Sequence, residues 1–258
     1  MRNVTTINLQ APKAWNELSG SQLNFIARQL IRKAEAAEIM VNCFLQFTGL
    51  SIKKKYPYQD NNGVWYRFRK RGVGSFDLDA DRFTWLAKKL EWITDDISLF
   101  HNPKRILWFT GCNYKMYGVS FERWFLLDQY YGAYCHSRDQ ESLNKMIAVC
   151  YRRKGEAWDD GKNMDKRAWL FRFVPLYRKY VVFLWYTSLK KYLSFKYPHV
   201  FSSDSGGVTV KPSANELIMG ITSALNDGNI TLNPQIRKTD VHEVLFELNR
   251  KIESSLKI

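Results

Sequence analysis

The chain has 258 residues, of which 45% are hydrophobic and 15% aromatic. A chain of that size buries roughly three quarters of its unfolded surface, which excludes disordered and fibrous classes. Its net charge of +14 concentrates anionic partners (nucleic acid, anionic lipid or acidic protein) without choosing among them.

The first ten residues read as extended, and Pro12 closes them. Ser19-Gly20-Ser21-Gln22 is a capping box ahead of Leu23, Ile26, Ala27, Leu30 and Ile31, which recur at helical spacing. A second helix is expected over Ala36 to Phe47, stopped by Gly49. The segment from Leu50 to Leu78 then changes period. Val64-Trp65-Tyr66-Arg67-Phe68-Arg69 alternates aromatic with basic residues, as a half-buried strand does. With the turn-rich Asp60 to Gly63 and the breaks at Gly72 and Gly74, it predicts a small hairpin or three-stranded meander. Such a unit is marginal alone and must pack on a helix.

Helical spacing returns at Asp79 or Asp81, with Phe83, Leu86, Leu90 and Ile93 on one side. His101-Asn102-Pro103 breaks it, and residues 104 to 118 read as a structured loop marked by Gly111 and Gly118. Ser120 to Cys135 predicts a buried helix, and Asp139 caps another over Glu141 to Tyr151. Residues 152 to 165 read as the most flexible loop. Asp165 opens a helix that Pro175 interrupts or kinks. Leu176 to Phe195 is apolar almost all round between Val181 and Tyr186, as a central bundle helix is, and Tyr197-Pro198 ends it.

Residues 202 to 212 form the best linker. After it, Ser213 to Glu216 is a capping box, Asn226-Asp227-Gly228 ends that helix, and Asp240 caps a last one carrying Val244, Leu245, Leu248 and Ile252. The expected organisation is a helical domain over 1–201, a linker over 202–212 and a small helical unit over 213–258. The fold class is mainly α: an irregular helical bundle with a small β-hairpin or three-stranded meander inserted at about 50–78.

Chemistry-bearing constellations are missing from the sequence. His101, His136, His199 and His242 stand in four different segments without metal-ligand spacing, so neither a metal nor a cofactor is expected. Cys43, Cys112, Cys135 and Cys150 form no C-x-x-C pair and read as buried, reduced thiols of a cytoplasmic protein. There is no G-x-S-x-G elbow, and Gly72-Val73-Gly74 lacks the spacing of a phosphate loop. Asp95-Asp96 and Asp159-Asp160 fall at helix ends or loops, where carboxylates ordinarily cap or solvate. A non-enzymatic protein is therefore expected. Residues 1–10 lack an apolar signal-peptide core. Tyr180 to Leu189, the longest apolar stretch, is about half of the roughly 20 residues a membrane span needs, so no membrane partner is expected.

The most suggestive cluster is Trp65, Arg67, Phe68, Arg69, Lys70 and Arg71, with Lys53, Lys54 and Lys55 on the same hairpin. Aromatic faces that stack bases, interleaved with cations that meet phosphates, are the physical basis of single-strand binding. The competing reading, which is favoured, buries Tyr66 and Phe68 inward and leaves Arg67 and Arg69 in water. Arg152-Arg153-Lys154 reads as a solvated helix end.

Leu126 to Tyr134, Arg138 to Arg152, Leu225 to Thr231 and Asp240 to Glu253 together resemble helical proteins of bacterial prophages and mobile elements. The shared pattern is one of core packing and capping and carries no catalytic residue. The resemblance implies a phage-type structural or assembly role, such as a tail-assembly factor, in the bacterial cytoplasm or on the virion. Its partners would be other phage structural proteins; nucleic acid bound at the basic hairpin is the alternative.

Overall fold

The computed structural model describes residues 7–57, 63–156, 163–201, 214–226 and 229–256, with side chains from 219 onward in the helix that opens at Ala214. Contacts divide the chain into two compact units, Met1–Ser98 and Leu99–Ile258. The fold is mainly α, with two three-stranded antiparallel sheets among the helices.

In the first unit, helix α1 (Gly20–Ile31) opens on the expected capping box. The Gln22 amide donates to Ser19 Oγ at 3.3 Å, and the Ser19 amide donates to Gln22 Oε1 at 2.8 Å. Helix α2 (Ala36–Thr48) stops at Gly49, whose φ of +68° lies in the left-handed region that suits a residue without Cβ. Strands β1 (Leu50–Pro57), β2 (Val64–Lys70) and β3 (Gly74–Asp79) follow as a meander in the order β1-β2-β3. Asp79 caps helix α3 (Ala80–Lys88) through the Arg82 amide at 2.9 Å. The helix expected to run on to Ile93 instead stops at Lys88, and a short α4 (Trp92–Asp95) follows. Leu90 and Ile93 are buried and three residues apart, a spacing that the tight bonds Leu90 N–H to Ala87 O and Ile93 N–H to Leu90 O accommodate.

The second unit opens on two very short strands, β4 (Arg105–Ile106) and β5 (Phe109–Gly111). Helices α5 (Phe121–Ser137) and α6 (Gln140–Cys150) come next, capped by Ser120 and Asp139. Strand β6 (Tyr151–Arg152) then pairs with β5. This second sheet corrects two expectations: residues 104–118 are more than a loop, and Tyr151-Arg152 lie in a strand rather than at a helix end. Strands of two or three residues are too short to show a period. Gly111 suits the close packing there, because a Cβ would stand 3.0 Å from both the Asn102 amide nitrogen and the Tyr151 ring, which would have to shift by a few tenths of an ångström.

Helix α7 (Met164–Phe171) ends before Pro175, which does not interrupt it but sits at the N-cap of α8 (Leu176–Lys196). The apolar middle of α8 is central as expected: Val182, Leu184, Trp185 and Tyr186 are buried. Helices α9 (Pro198–Phe201), α10 (Ala214–Asn226), α11 (Asn233–Lys238) and α12 (Val241–Ser255) complete the unit. The last packs on α9 and α5, and backbone bonds Phe121 N–H to Thr239 O at 2.8 Å and Val241 N–H to Val119 O at 2.9 Å tie its start to α5. The expected linker at 202–212 lies outside the described residues, as does the capping box at 213–216, whose side chains are not described.

Two buried arginines hold the second unit together. Arg123 of α5 donates from Nε to Val149 O at 2.8 Å and from Nη2 to Cys150 O at 2.9 Å. Arg167 of α7 donates from Nε to Ala148 O at 3.3 Å and is paired with Glu156 at 3.1 Å. Together they satisfy the last carbonyls of α6, where the helix dipole also favours a cation. Arg123→Leu is expected to cost about 1–3 kcal/mol, because it removes the Arg123 donor from the buried Val149 carbonyl and leaves the Cys150 carbonyl with the Cys112 amide alone; urea unfolding measures it. At the other end of α6, the Ser137 hydroxyl and then the Ser142 amide hold Asp139 down to a pKa of about 2. Its contribution to stability is present above about pH 4, the ordinary carboxylate range, and is lost as pH falls towards 2. Asp139→Ala should therefore cost about 1 kcal/mol at pH 7, with the difference from wild type shrinking as pH falls through 2 and vanishing below it.

Candidate interaction surface

The basic cluster read from the sequence falls on the β1–β2–β3 sheet, and the strand register decides which side chains share a face. Ser51 pairs with Arg69, Lys54 with Arg67 and Tyr56 with Trp65 across β1 and β2; Trp65 pairs with Asp79, Arg67 with Asp77 and Arg69 with Ser75 across β2 and β3. Directly paired residues lie on one face. Lys54, Tyr56, Trp65, Arg67 and Arg69 are therefore together on one side. Lys53 is the extra residue where the register shifts between Ile52 and Lys54, and it is exposed. Arg71 is exposed in the turn between β2 and β3.

The opposite face holds Tyr66, Phe68, Phe76 and Leu78, against Phe83 of α3. Phe68 is fully buried: its ring lies 5.0 Å from Phe83, 5.7 Å from Phe76 and 6.2 Å from Tyr66. Phe68 is therefore a core residue and not part of the surface, which corrects its place in the cluster and matches the competing reading of the strand. Lys55 also falls on this side, its ammonium 5.9 Å from the Tyr66 ring centre. Lys70 is half-buried and donates to the Asn8 carbonyl at 2.7 Å.

On the outer face Arg67 makes a bidentate pair with Asp77 at 2.8 and 2.9 Å and lies 5.8 Å from the Tyr56 ring centre. Arg67 holds the Asp77 carboxyl below its usual range, with Tyr56 contributing. Asp79 caps α3 and meets Arg82 at 3.3 Å. The acids on this face are thus committed, while Lys54 and Arg69 stand exposed beside them.

The second unit brings together side chains that the sequence keeps apart. His242 donates from Nε2 to the Lys115 carbonyl at 2.7 Å and accepts at Nδ1 from the Tyr197 hydroxyl at 2.9 Å. Burial lowers its pKa, so the ring is held neutral in one tautomer. Lys196 lies over the rings of Tyr117, Tyr192 and Tyr197 at 5.4, 6.0 and 5.2 Å. The Lys196 ammonium, followed by Tyr192, lowers the Tyr117 pKa. Tyr192, Lys196 and Tyr197 are close in sequence, whereas Tyr117 and His242 come from distant segments.

The expected burial of the cysteines holds for Cys43 and Cys150 and not for Cys112 and Cys135. Cys43 and Cys150 are buried, Cys112 is half-buried and Cys135 is exposed. A hydrogen bond from Cys150 and then the nearby Arg123 lower the Cys112 pKa. Among the described residues, no group of three His, Cys, Asp or Glu is placed to hold a metal, and no helix is long and apolar enough to cross a membrane.

The two faces of β2 predict opposite mutational outcomes. Phe68→Ala should cost about 3–5 kcal/mol by opening a core cavity, whereas Lys54→Ala and Arg69→Ala should stay within about 0.5 kcal/mol; thermal denaturation separates them. No protein-family model, no curated protein and no solved structure matches the chain.

Proposed function

We propose that the protein acts without catalysis, as an assembly protein of phage-type particles in the bacterial cytoplasm, and that it engages an acidic protein partner through the outer face of the β1–β2–β3 sheet. The observation that supports this is the register that puts Lys54, Arg67 and Arg69 on one face around Tyr56 and Trp65, with Lys53 and Arg71 exposed in the bulge and the turn. Guanidinium and ammonium groups so arranged match carboxylates on a facing protein. The half-buried aromatic pair supplies the apolar centre that interfaces favour.

Nucleic acid is the second reading, and the same geometry weakens it. Stacking needs open ring faces. Phe68 is in the core, and Arg67 lies over the Tyr56 ring. Trp65 is the remaining aromatic of the cluster on that face.

An affinity-tagged chain should co-purify with head or tail components from cells assembling the particle. The Lys54→Glu/Arg69→Glu double variant should fold normally and lose them. Unchanged capture by that variant would contradict the assignment. Binding to single-stranded DNA that falls steeply with salt, and that Trp65→Ala weakens by about 1–3 kcal/mol, would promote the second reading instead.

A further inference from the structure

The second unit contains a buried lysine with no counter-ion among the described residues. Lys179 of α8 is 1% exposed, and its one hydrogen-bond partner among the described residues is Asn144 Oδ1 of α6, at 2.8 Å. Burial drives its pKa down. An ammonium has three donors, and leaving them unmatched in a low-dielectric interior is costly.

The orientation of Asn144 follows from that contact. An ammonium only donates, so the amide oxygen must face Lys179 and the NH2 group must point away from it. Asn144 is itself 5% exposed and lines a cleft of about 710 Å³ between α6 and α7. Among the described residues its NH2 group has no hydrogen-bond partner. The ammonium on the oxygen side polarises the amide and strengthens it as a donor on the other side.

The rest of the cleft is consistent with a charged, ring-bearing occupant. Trp169 forms part of the wall with 54% of its surface exposed, and Phe173 holds its ring edge-on at 5.2 Å. Arg172 stands exposed on the same wall with no ion pair among the described residues. Of the two acids there, Glu141 is neutralised by Lys145 at 2.8 Å, and Asp165 lies in the first turn of α7.

We propose that this cleft binds a small organic anion, a carboxylate or phosphate attached to a flat ring. The anion accepts from the Asn144 NH2 group, with the Lys179 ammonium as the buried charge behind it. Arg172 meets it from the rim, and the ring rests on Trp169. Lys179 is then a positioning residue that acts through Asn144.

Phenyl phosphate and benzoate are the probes, with inorganic phosphate and benzyl alcohol as anion-only and ring-only controls. Each is titrated into the full chain while NMR follows the Asn144 side-chain amide and the Trp169 indole. Saturable shifts at both groups are expected with the ring-bearing anions, at lower concentration than with either control. Asn144→Asp keeps an acceptor for Lys179 but replaces the donor facing the cleft with an acceptor. It should leave the fold at least as stable and weaken the favoured probe roughly tenfold or more. Trp169→Ala should reduce the ring-bearing anion to the affinity of its anion-only control. Absence of saturable shifts with phenyl phosphate and benzoate, or equal binding by Asn144→Asp, would overturn the proposal. So would Lys179→Met that binds as wild type does.

Discussion

Three successive carbonyls at the end of α6 set the requirement that the second unit is built to meet. Ala148, Val149 and Cys150 close a helix whose last turns are buried, and a buried carbonyl without a donor costs about 1–3 kcal/mol. Arg123 from α5, Arg167 from α7 and the Cys112 amide after β5 supply the donors. The helix can therefore end in the interior only if those three segments converge on it. The same convergence places β6 beside β5 and brings the Cys112 thiol near a guanidinium. Packing and electrostatics have one cause here.

Much of this architecture was readable because caps are local. Ser19, Asp79, Ser120, Asp139 and Asp240 each accept a backbone amide at the start of a helix, and each is a residue type selected for that bond. The meander was equally readable, since β2 carries a period of two over seven residues. Strands β4, β5 and β6 were not, because two or three residues cannot establish a period. Lys179 shows a deeper limit. Within α8 it is merely a polar interruption of an apolar helix. Its role depends on Asn144, 35 residues earlier and on another helix, and no spacing rule joins the two.

Alternation in β2 explains why the surface was only partly legible. A strand of Trp, Tyr, Arg, Phe and Arg has two faces, and composition does not say which aromatics remain in water. Packing decides it: the face with Tyr66 and Phe68 meets the Phe83 ring of α3, so Trp65 goes outward with Arg67 and Arg69. The Arg67–Asp77 pair on that outer face is solvent-exposed, and exposed pairs contribute little to stability. Its consequence is one of arrangement. The pair fixes a guanidinium in the middle of the face, with Lys54 and Arg69 exposed on either side of it.

The proposed acidic-partner role of the sheet is tested most directly by NMR shift mapping on the intact chain, with a short polyglutamate peptide and a thymidine oligonucleotide compared at one salt concentration. Perturbations by the peptide should concentrate at Lys54, Tyr56, Trp65 and Arg69 and be absent from Phe68 and Phe76. Perturbations confined to other surfaces, or shifts on this face produced by the oligonucleotide alone, would contradict it.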